Sequence, residues 1–473
     1  MVIVMNSKTT VKNILKVSFS NILKLLSGVL VGFLLPKIIG VSDYGFYKTF
    51  TLYGTYVGLF AIGITDGIYL KFGGFDYSSL DRERFRFYSK LFISMELIFS
   101  AIVGLYAFIY LKGDNQFIGI STAIFLFGNN VTGYYQIISQ ITGRFDEFSL
   151  RTILQSLLTS VVVIALWILS CYFNISISYK IYTFLYVLII LALTIWYMIT
   201  YKEITFGKSI KSFDETKIYF KFIKIGTPLL VANLCSTLIL TLDRQFVNVL
   251  FDTKTYAVYA FAYNMLSLIT TALAAISIVI YPVMKRMDNR KLMYNYPFFN
   301  AAMLVLIFGC LSIYYPLFGF INWFLPNYRE SLPIFRVILP GVALSSTISI
   351  IMHNYYKTLD NEKRFFIKSV ITLAISGLAN YFAYMICGTT ISISIASVLV
   401  TVLWYIFTER GIASLNKTII KNYLFIICMF IIFYWTTMIN NWILGVLLYM
   451  VLFLIAVCAI YKSDYRIIKK IFF

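Results

Sequence analysis

Fourteen apolar runs, each close to the ~20 residues a helix needs to cross a bilayer, alternate with short polar loops along the 473-residue chain. They fall at 14–39, 47–70, 91–111, 117–141, 153–173, 181–201, 222–249, 256–284, 298–320, 334–356, 366–386, 392–407, 423–439 and 442–461. A membrane strand needs only ~9–11 residues of alternating polarity. These runs are about twice as long and apolar on most faces, so they predict helices. Composition points the same way: 60% of residues are hydrophobic, 13% are charged, and the mean hydropathy is +0.83. Soluble domains carry ~45–50% apolar and ~25% charged residues. A soluble globular enzyme and a disordered chain are thereby excluded. The expected fold is an all-α polytopic membrane protein with about 14 transmembrane helices.

The charge pattern orients the chain. Forty Lys and Arg against twenty Asp and Glu give a net charge of +20. The basic residues sit in short loops between apolar runs, which argues against nucleic-acid binding and for the positive-inside rule. With the N-terminus inside, the inner loops hold 31 basic residues and the outer loops six, while Lys24, Lys48 and Arg244 lie within runs. An even number of spans places both termini in the cytoplasm. Trp323 and Trp442 fall at expected outer boundaries, where amphipathic rings prefer to sit.

The longest loops, 71–90 and 202–221, have room for no soluble domain, and the chain carries no phosphate-binding GxxxxGK[ST] loop. The six cysteines are widely spaced within or beside apolar runs and read as buried small hydrophobes rather than disulfides or metal ligands. The sole histidine, His353, makes a histidine metal site improbable and reads as structural. Residues 1–10 lack the features of a cleavable signal, so the first apolar run is expected to remain as a helix. Asp43-Tyr44-Gly45-Phe46-Tyr47 after the first run matches Thr255-Tyr256-Ala257-Val258-Tyr259 after the seventh, an offset of 212 residues. Six runs separate the copies, so the halves share one orientation: a parallel repeat of the kind found in transporters.

Three segments carry a family resemblance. Gly40-Val41-Ser42-Asp43-Tyr44-Gly45-Phe46-Tyr47 resembles the first outer loop of the Wzx-type polysaccharide flippases. Gly63-Ile64-Thr65-Asp66-Gly67-Ile68-Tyr69-Leu70-Lys71-Phe72-Gly73-Gly74 resembles the end of their second span, and Asp243-Arg244 their seventh. Span count, repeat and loop lengths extend the resemblance over the whole chain, within the multidrug/oligosaccharidyl-lipid/polysaccharide exporter superfamily. The resemblance implies two six-helix bundles in a V, at 1–210 and 211–415, with two additional helices at 416–473. It implies a substrate, an oligosaccharide on undecaprenyl diphosphate, moved from the cytoplasmic to the outer leaflet of the bacterial inner membrane for O-antigen or capsule assembly.

Such a protein makes no bond, so intramembrane polar residues are its candidate machinery. Lys24 shares a small, polar stripe with Asn21, Gly28 and Gly32 and is positioned to attract a diphosphate; the rival is a snorkelling or paired lysine. Lys48 lies on a stripe with Thr51, Thr55 and Gly58, and Arg244 adjoins Asp243, so the two cannot share a face. Asn129, Gln136 and Gln140 line one face of the fourth run, for sugar hydroxyls or for helix–helix hydrogen bonds. Asp66, Glu96 and Asp243 are candidate ion-coupling carboxylates, for H+ or Na+; no other cofactor is expected. The expected partners are lipid-linked oligosaccharide, membrane lipids and a polysaccharide polymerase with other assembly proteins, for a monomer that binds no nucleic acid. The alternatives are a multidrug/cation antiporter of the same superfamily, a lipid II flippase, and a polysaccharide polymerase or ligase. The short outer loop at 322–333 and the lack of a catalytic constellation weigh against an enzyme.

Overall fold

The structure is a computed structural model and describes residues 7–210, 213–285, 287–359, 361–413 and 416–462. Every described regular element is helical. The chain divides into two compact units, Met1–Leu234 and Cys235–Phe473.

In the first unit, α1 (Ser7–Ile38) is followed by α2 (Val41–Gly54), a 3-10 turn over Val57–Ala61, and α3 (Ile64–Phe72). The long helices α4 (Arg82–Tyr110), α5 (Gly113–Ile141), α6 (Phe145–Phe173) and α7 (Tyr179–Thr200) follow, then the single turn α8 (Lys202–Thr205) and α9 (Phe213–Ile239), whose last residues from Cys235 onward belong to the second unit. Small hydroxyl residues let α1 and α6 approach closely. Ser27 donates to the Ser156 carbonyl at 3.0 Å, and Ser160 donates to Ser27 at 3.0 Å. With no apolar driving force between helices in lipid, such close packing and hydrogen bonding hold the pair. The segment expected as the first outer loop is instead the start of α2. Its Asp43 accepts the Tyr179 backbone N–H at 2.9 Å and so ties α2 to the N-terminus of α7.

The second unit runs α10 (Leu242–Leu250), α11 (Thr253–Lys285), α12 (Asn289–Cys310), α13 (Tyr314–Phe324), α14 (Ser331–Thr347), α15 (His353–Thr358), α16 (Glu362–Cys387), α17 (Thr390–Glu409), α18 (Lys417–Thr436) and α19 (Trp442–Tyr461). A 3-10 turn joins α12 to α13, and a π turn over Ile348–Met352 joins α14 to α15. Turns are set by capping side chains: Asp288, Thr389, Asn416 and Asn441 each accept a backbone N–H at the start of the next helix. The repeat has a packing counterpart. In the first unit α5 packs on α2 and α7; in the second, α14 packs on α11 and α17. Tyr44, Tyr47, Tyr256 and Tyr259 are all buried.

Among the described residues, eleven helical stretches are long and apolar enough to cross a membrane. The second expected run is broken into α2, turn and α3, and the seventh is interrupted after Ile239 before α10 begins at Leu242. The fourth, α5, is one unbroken 29-residue helix. The side chains of unpaired cysteines correct one expectation. Cys235 is buried, but Cys171, Cys310, Cys387 and Cys458 are exposed on the apolar outside of the helices. A thiol there costs nothing in lipid, so burial is not required of it. His353 stacks on Phe365 with ring centroids 4.5 Å apart.

Candidate functional site

Polar side chains inside these helices gather at a few places, and two of them involve the broken runs. In the first unit, the chain leaves α2 through the 3-10 turn and passes through Ile62 (φ 44°) and Gly63 (φ 81°) before α3. Asn130 on α5 donates to the Val57 carbonyl in this turn at 2.9 Å. The same Asn130 amide donates to Glu96 Oε2 on α4, also at 2.9 Å. Glu96 is fully buried and Asn130 is 5% exposed. Asn129 is half-buried and turned to a weak contact with Asn130 at 3.5 Å. Gln136 is half-buried beside Tyr197.

Just past the turn, Gly63 and Gly67 bring α3 backbone-to-backbone against α9. A Cβ on Gly67 would overlap the Phe222 carbonyl, and one on Gly226 would overlap the Gly63 carbonyl. Glycine four residues apart is what allows such an approach in lipid. Two glycines of the Gly63–Gly74 segment, Gly63 and Gly67, thus have a packing reason. Asp66, one residue earlier, is half-buried and has no hydrogen bond or ion pair among the described residues. Lys71 does not reach it; its ammonium lies over the Phe72 and Phe222 rings.

In the second unit, Asp243 near the start of α10 is 2% exposed. It accepts from Tyr259 at 2.8 Å and from Tyr263, both on α11, and from the Arg244 backbone N–H at 2.7 Å. Arg244 joins the same cluster: its guanidinium covers the ring of Tyr263 at 4.8 Å and donates to the Leu240 carbonyl at 2.9 Å. That carbonyl is freed by the interruption between α9 and α10. Beside Asp243 is a cavity of about 50 Å³ whose polar lining is Asp243, Tyr263, Ser345, Ser397 and Thr401. It has room for a few waters or a small cation, not for a glycan or a drug.

The in-run cations are apart from these clusters. Lys24 is exposed and forms no hydrogen bond or ion pair among the described residues. Lys48 is half-buried, with its ammonium 5.1 Å from the Tyr44 ring centroid and 5.6 Å from that of Tyr47. Two further buried clusters escaped the sequence reading. Glu409, at the end of α17, accepts from Asn300 on α12, which also donates to Tyr405 at 2.7 Å. Arg151, 2% exposed on α6, pairs with Glu147 at 3.3 Å and stacks on Trp196 at 4.0 Å. Both lie at the ends of apolar runs, where a charge reads as a loop residue. Outside the spans, Asp114 accepts from the Lys180 ammonium (2.9 Å) and the Tyr179 hydroxyl (2.7 Å), which hold its carboxyl below the usual range.

Broken helices recur in both helical units, and the all-helical, multi-span fold is similar to that of solved membrane transport proteins. Among solved structures, the chain is similar to the lipid II flippase MurJ in an inward closed conformation, with a TM-score of 0.67 and 16% identity over 96% of this chain and 100% of that one. It is also similar to an inward-facing multidrug resistance MATE family transporter, with a TM-score of 0.56 and 13% identity over 83% of this chain and 94% of that one. No protein-family model matches the sequence. No curated protein matches it either. The two structural relatives are membrane transport proteins, and at these identities the likeness is one of fold.

Proposed function

We propose that this protein is a flippase that moves an undecaprenyl-diphosphate-linked oligosaccharide from the cytoplasmic to the outer leaflet of the bacterial inner membrane by alternating access. The observation that carries the reading is the extent of the fold's likeness to a lipid II flippase: 96% of this chain against all of MurJ, with 83% aligned to the MATE transporter. The substrate reading is supported by Lys24, Lys48 and Arg244, three cations in or beside apolar runs, where a charge without a task is costly. A diphosphate needs cations along its path. A cation antiporter would gain more from acidic groups there.

Lys24, Lys48 and Arg244 then attract the diphosphate, while Asn129 and Gln136 serve the glycan. Asp66, Glu96 and Asp243 are the candidates for coupling to H+ or Na+. The membrane potential alone favours outward movement of an anion by ~2.3 kcal/mol per charge per 100 mV. With both termini cytoplasmic, a polysaccharide polymerase would receive the product outside. A second reading, a lipid II flippase, is favoured by the identity of the MurJ relative itself.

Deletion of the gene in its host tests the proposal. The expected result is loss of surface polysaccharide, with undecaprenyl-diphosphate-linked glycan accumulating on the cytoplasmic face. Wild type restores export. Lys24→Ala and Arg244→Ala restore it about 10- to 100-fold less well, the equivalent of ~1.5–3 kcal/mol for a charge-assisted contact. Accumulated lipid II with failing cell-wall synthesis would favour the second reading. Unchanged surface glycan with altered drug sensitivity would overturn both in favour of an antiporter.

A further inference from the structure

Within the Glu96–Asn130 pair one polar atom is left over. Asn130 spends its amide donors on Glu96 Oε2 and the Val57 carbonyl, and its own oxygen faces Asn129. Glu96 Oε1 has no partner and no exposure. The residue lies at the midpoint of α4, Arg82–Tyr110, ~21 Å from either end at 1.5 Å per residue.

We propose that Glu96 is a proton-binding carboxyl, and that Asn130 transmits its protonation state to the break in the second apolar run. This deepens the flippase reading, on which it rests, by naming the coupling ion and the side chain that carries it.

Three observations lead there. First, no cation pairs with Glu96 among the described residues. The groups shown to face it are neutral: the Asn130 amide on α5 and Tyr219 on α9. On α8, Glu203 is engaged by Arg82 at the far end of α4. A lone buried carboxylate costs several kcal/mol, so something must neutralise it. Second, the neighbouring polar group is a donating amide, which presents the wrong dipole to a metal cation and leaves too few oxygens to wrap one. A proton needs only the carboxyl.

Third, several hydroxyls lie between Glu96 and the polar end of α4. Arg84, Tyr88, Phe92 and Glu96 follow one another at four-residue spacing and share a face. Arg84 pairs with Glu215 at 2.9 Å, and Tyr88 donates to Glu215 at 2.8 Å. Ser89 and Tyr134 share a hydrogen bond at 2.9 Å. The Tyr219 hydroxyl, 2% exposed and without a hydrogen-bond partner, lies within electrostatic reach of both Tyr134 and Glu96. Hydroxyls both accept and donate, so small rotations would pass a proton among them.

The proton's effect follows from Asn130. An ionised carboxylate accepts a hydrogen bond roughly twice as strong as a neutral one. Loading Glu96 therefore loosens the amide that also holds Val57. The turn it holds contains Ile62, a β-branched residue at φ 44°, which persists only while its surroundings impose it.

The test uses the purified full-length protein in lipid nanodiscs without substrate. Infrared difference spectra across a pH titration should contain the carbonyl stretch of a buried carboxyl, present in wild type and lost in Glu96→Gln. The Glu96→Gln amide can still accept from Asn130, so folding is expected to survive; Glu96→Asp, which should retain a band at a shifted position, is the second variant. Hydrogen exchange of segment 56–63, referenced to α14 to remove its intrinsic pH dependence, should change with pH in wild type and be flat in Glu96→Gln and Asn130→Ala. Tyr219→Phe should keep the band but slow its response to a pH jump. An identical titration in wild type and Glu96→Gln overturns the proposal. So does a band or exchange response that follows added Na+ rather than pH. None of these readouts involves a transported lipid, so failure of the flippase reading would be recognised separately, in the deletion strain.

Discussion

At the residue scale, glycine and aspartate do work that their side-chain chemistry explains. Gly67 and Gly226 let two backbones touch, so Gly67→Ala and Gly226→Ala should each destabilise the first unit by ~1–3 kcal/mol, the usual range for overpacking. Thermal unfolding in detergent checks this, with Gly28→Ala as the control because a Cβ there meets nothing within 4 Å. Asp114 gives a pH effect of known sign. Its folded carboxyl titrates below the unfolded value, so its contribution is present above the unfolded pKa and fades as pH falls through the folded one. The pair with Lys180 is well exposed, so the loss should be under ~1 kcal/mol. Hydrogen exchange at the N-terminus of α7 should rise in acid in wild type and already be raised at neutral pH in Asp114→Asn. The sequence singled out Glu96 because it is an ionisable group in an apolar run. It grouped Asn129 with Gln136 and Gln140, whereas Asn130 meets Glu96. One residue is a 100° turn of a helix, and only the docking of α5 on α4 sets that angle.

At the element scale, the breaks matter more than the helices. An apolar run of 24 residues at 47–70 reads as one span. Yet the chain there forms α2, a 3-10 turn and α3, because Gly63 tolerates the left-handed conformation and Asn130 ties the turn to α5 through the Val57 carbonyl. Pattern alone does not reveal this, since glycines are also common in straight membrane helices. Asp43 shows the reverse case: it sits in a motif that resembles a family signature, and its contact is a helix cap. Asp43→Ala should cost ~1 kcal/mol and raise exchange at Tyr179 and Lys180 while leaving α12–α17 unchanged. Tyrosines join the elements of the second unit by donating to backbone carbonyls, Tyr355 to Leu292, Tyr356 to Thr408 and Tyr434 to Val337, at 2.9–3.0 Å. They also hold the last two helices: Tyr315 bonds Thr436 on α18, Tyr449 on α19 donates to Phe308, and Tyr461 bonds Asn422. Tyr461→Phe and Asn422→Leu together should therefore loosen α18–α19, seen as faster limited proteolysis after residue 410. These hydrogen bonds account for where the tyrosines are placed.

At the scale of the whole molecule, the proposed function predicts a voltage dependence. If the substrate crosses as an anion, flux in proteoliposomes should rise with an applied potential, by about tenfold for each ~1.4 kcal/mol of added drive on the rate-limiting step at most. An unchanged rate across imposed potentials would argue for electroneutral exchange, with proton or sodium compensating the charge. Class and all-helical architecture were legible in the sequence. Run length, apolar content and the alternation of basic loops are imposed by the bilayer, which acts on each segment separately, and that is why they can be read locally. The repeat was legible too, from the tyrosines at 44, 47, 256 and 259. What tertiary structure alone decided is which polar residue meets which. Asp43 meets the start of α7, Asn130 meets both Glu96 and Val57, and Asp243 meets two tyrosines, one of which Arg244 covers. In a medium that satisfies no hydrogen bond, each such group must find its partner on another helix. The rotation and depth of that neighbour come from packing, not from the segment's own sequence.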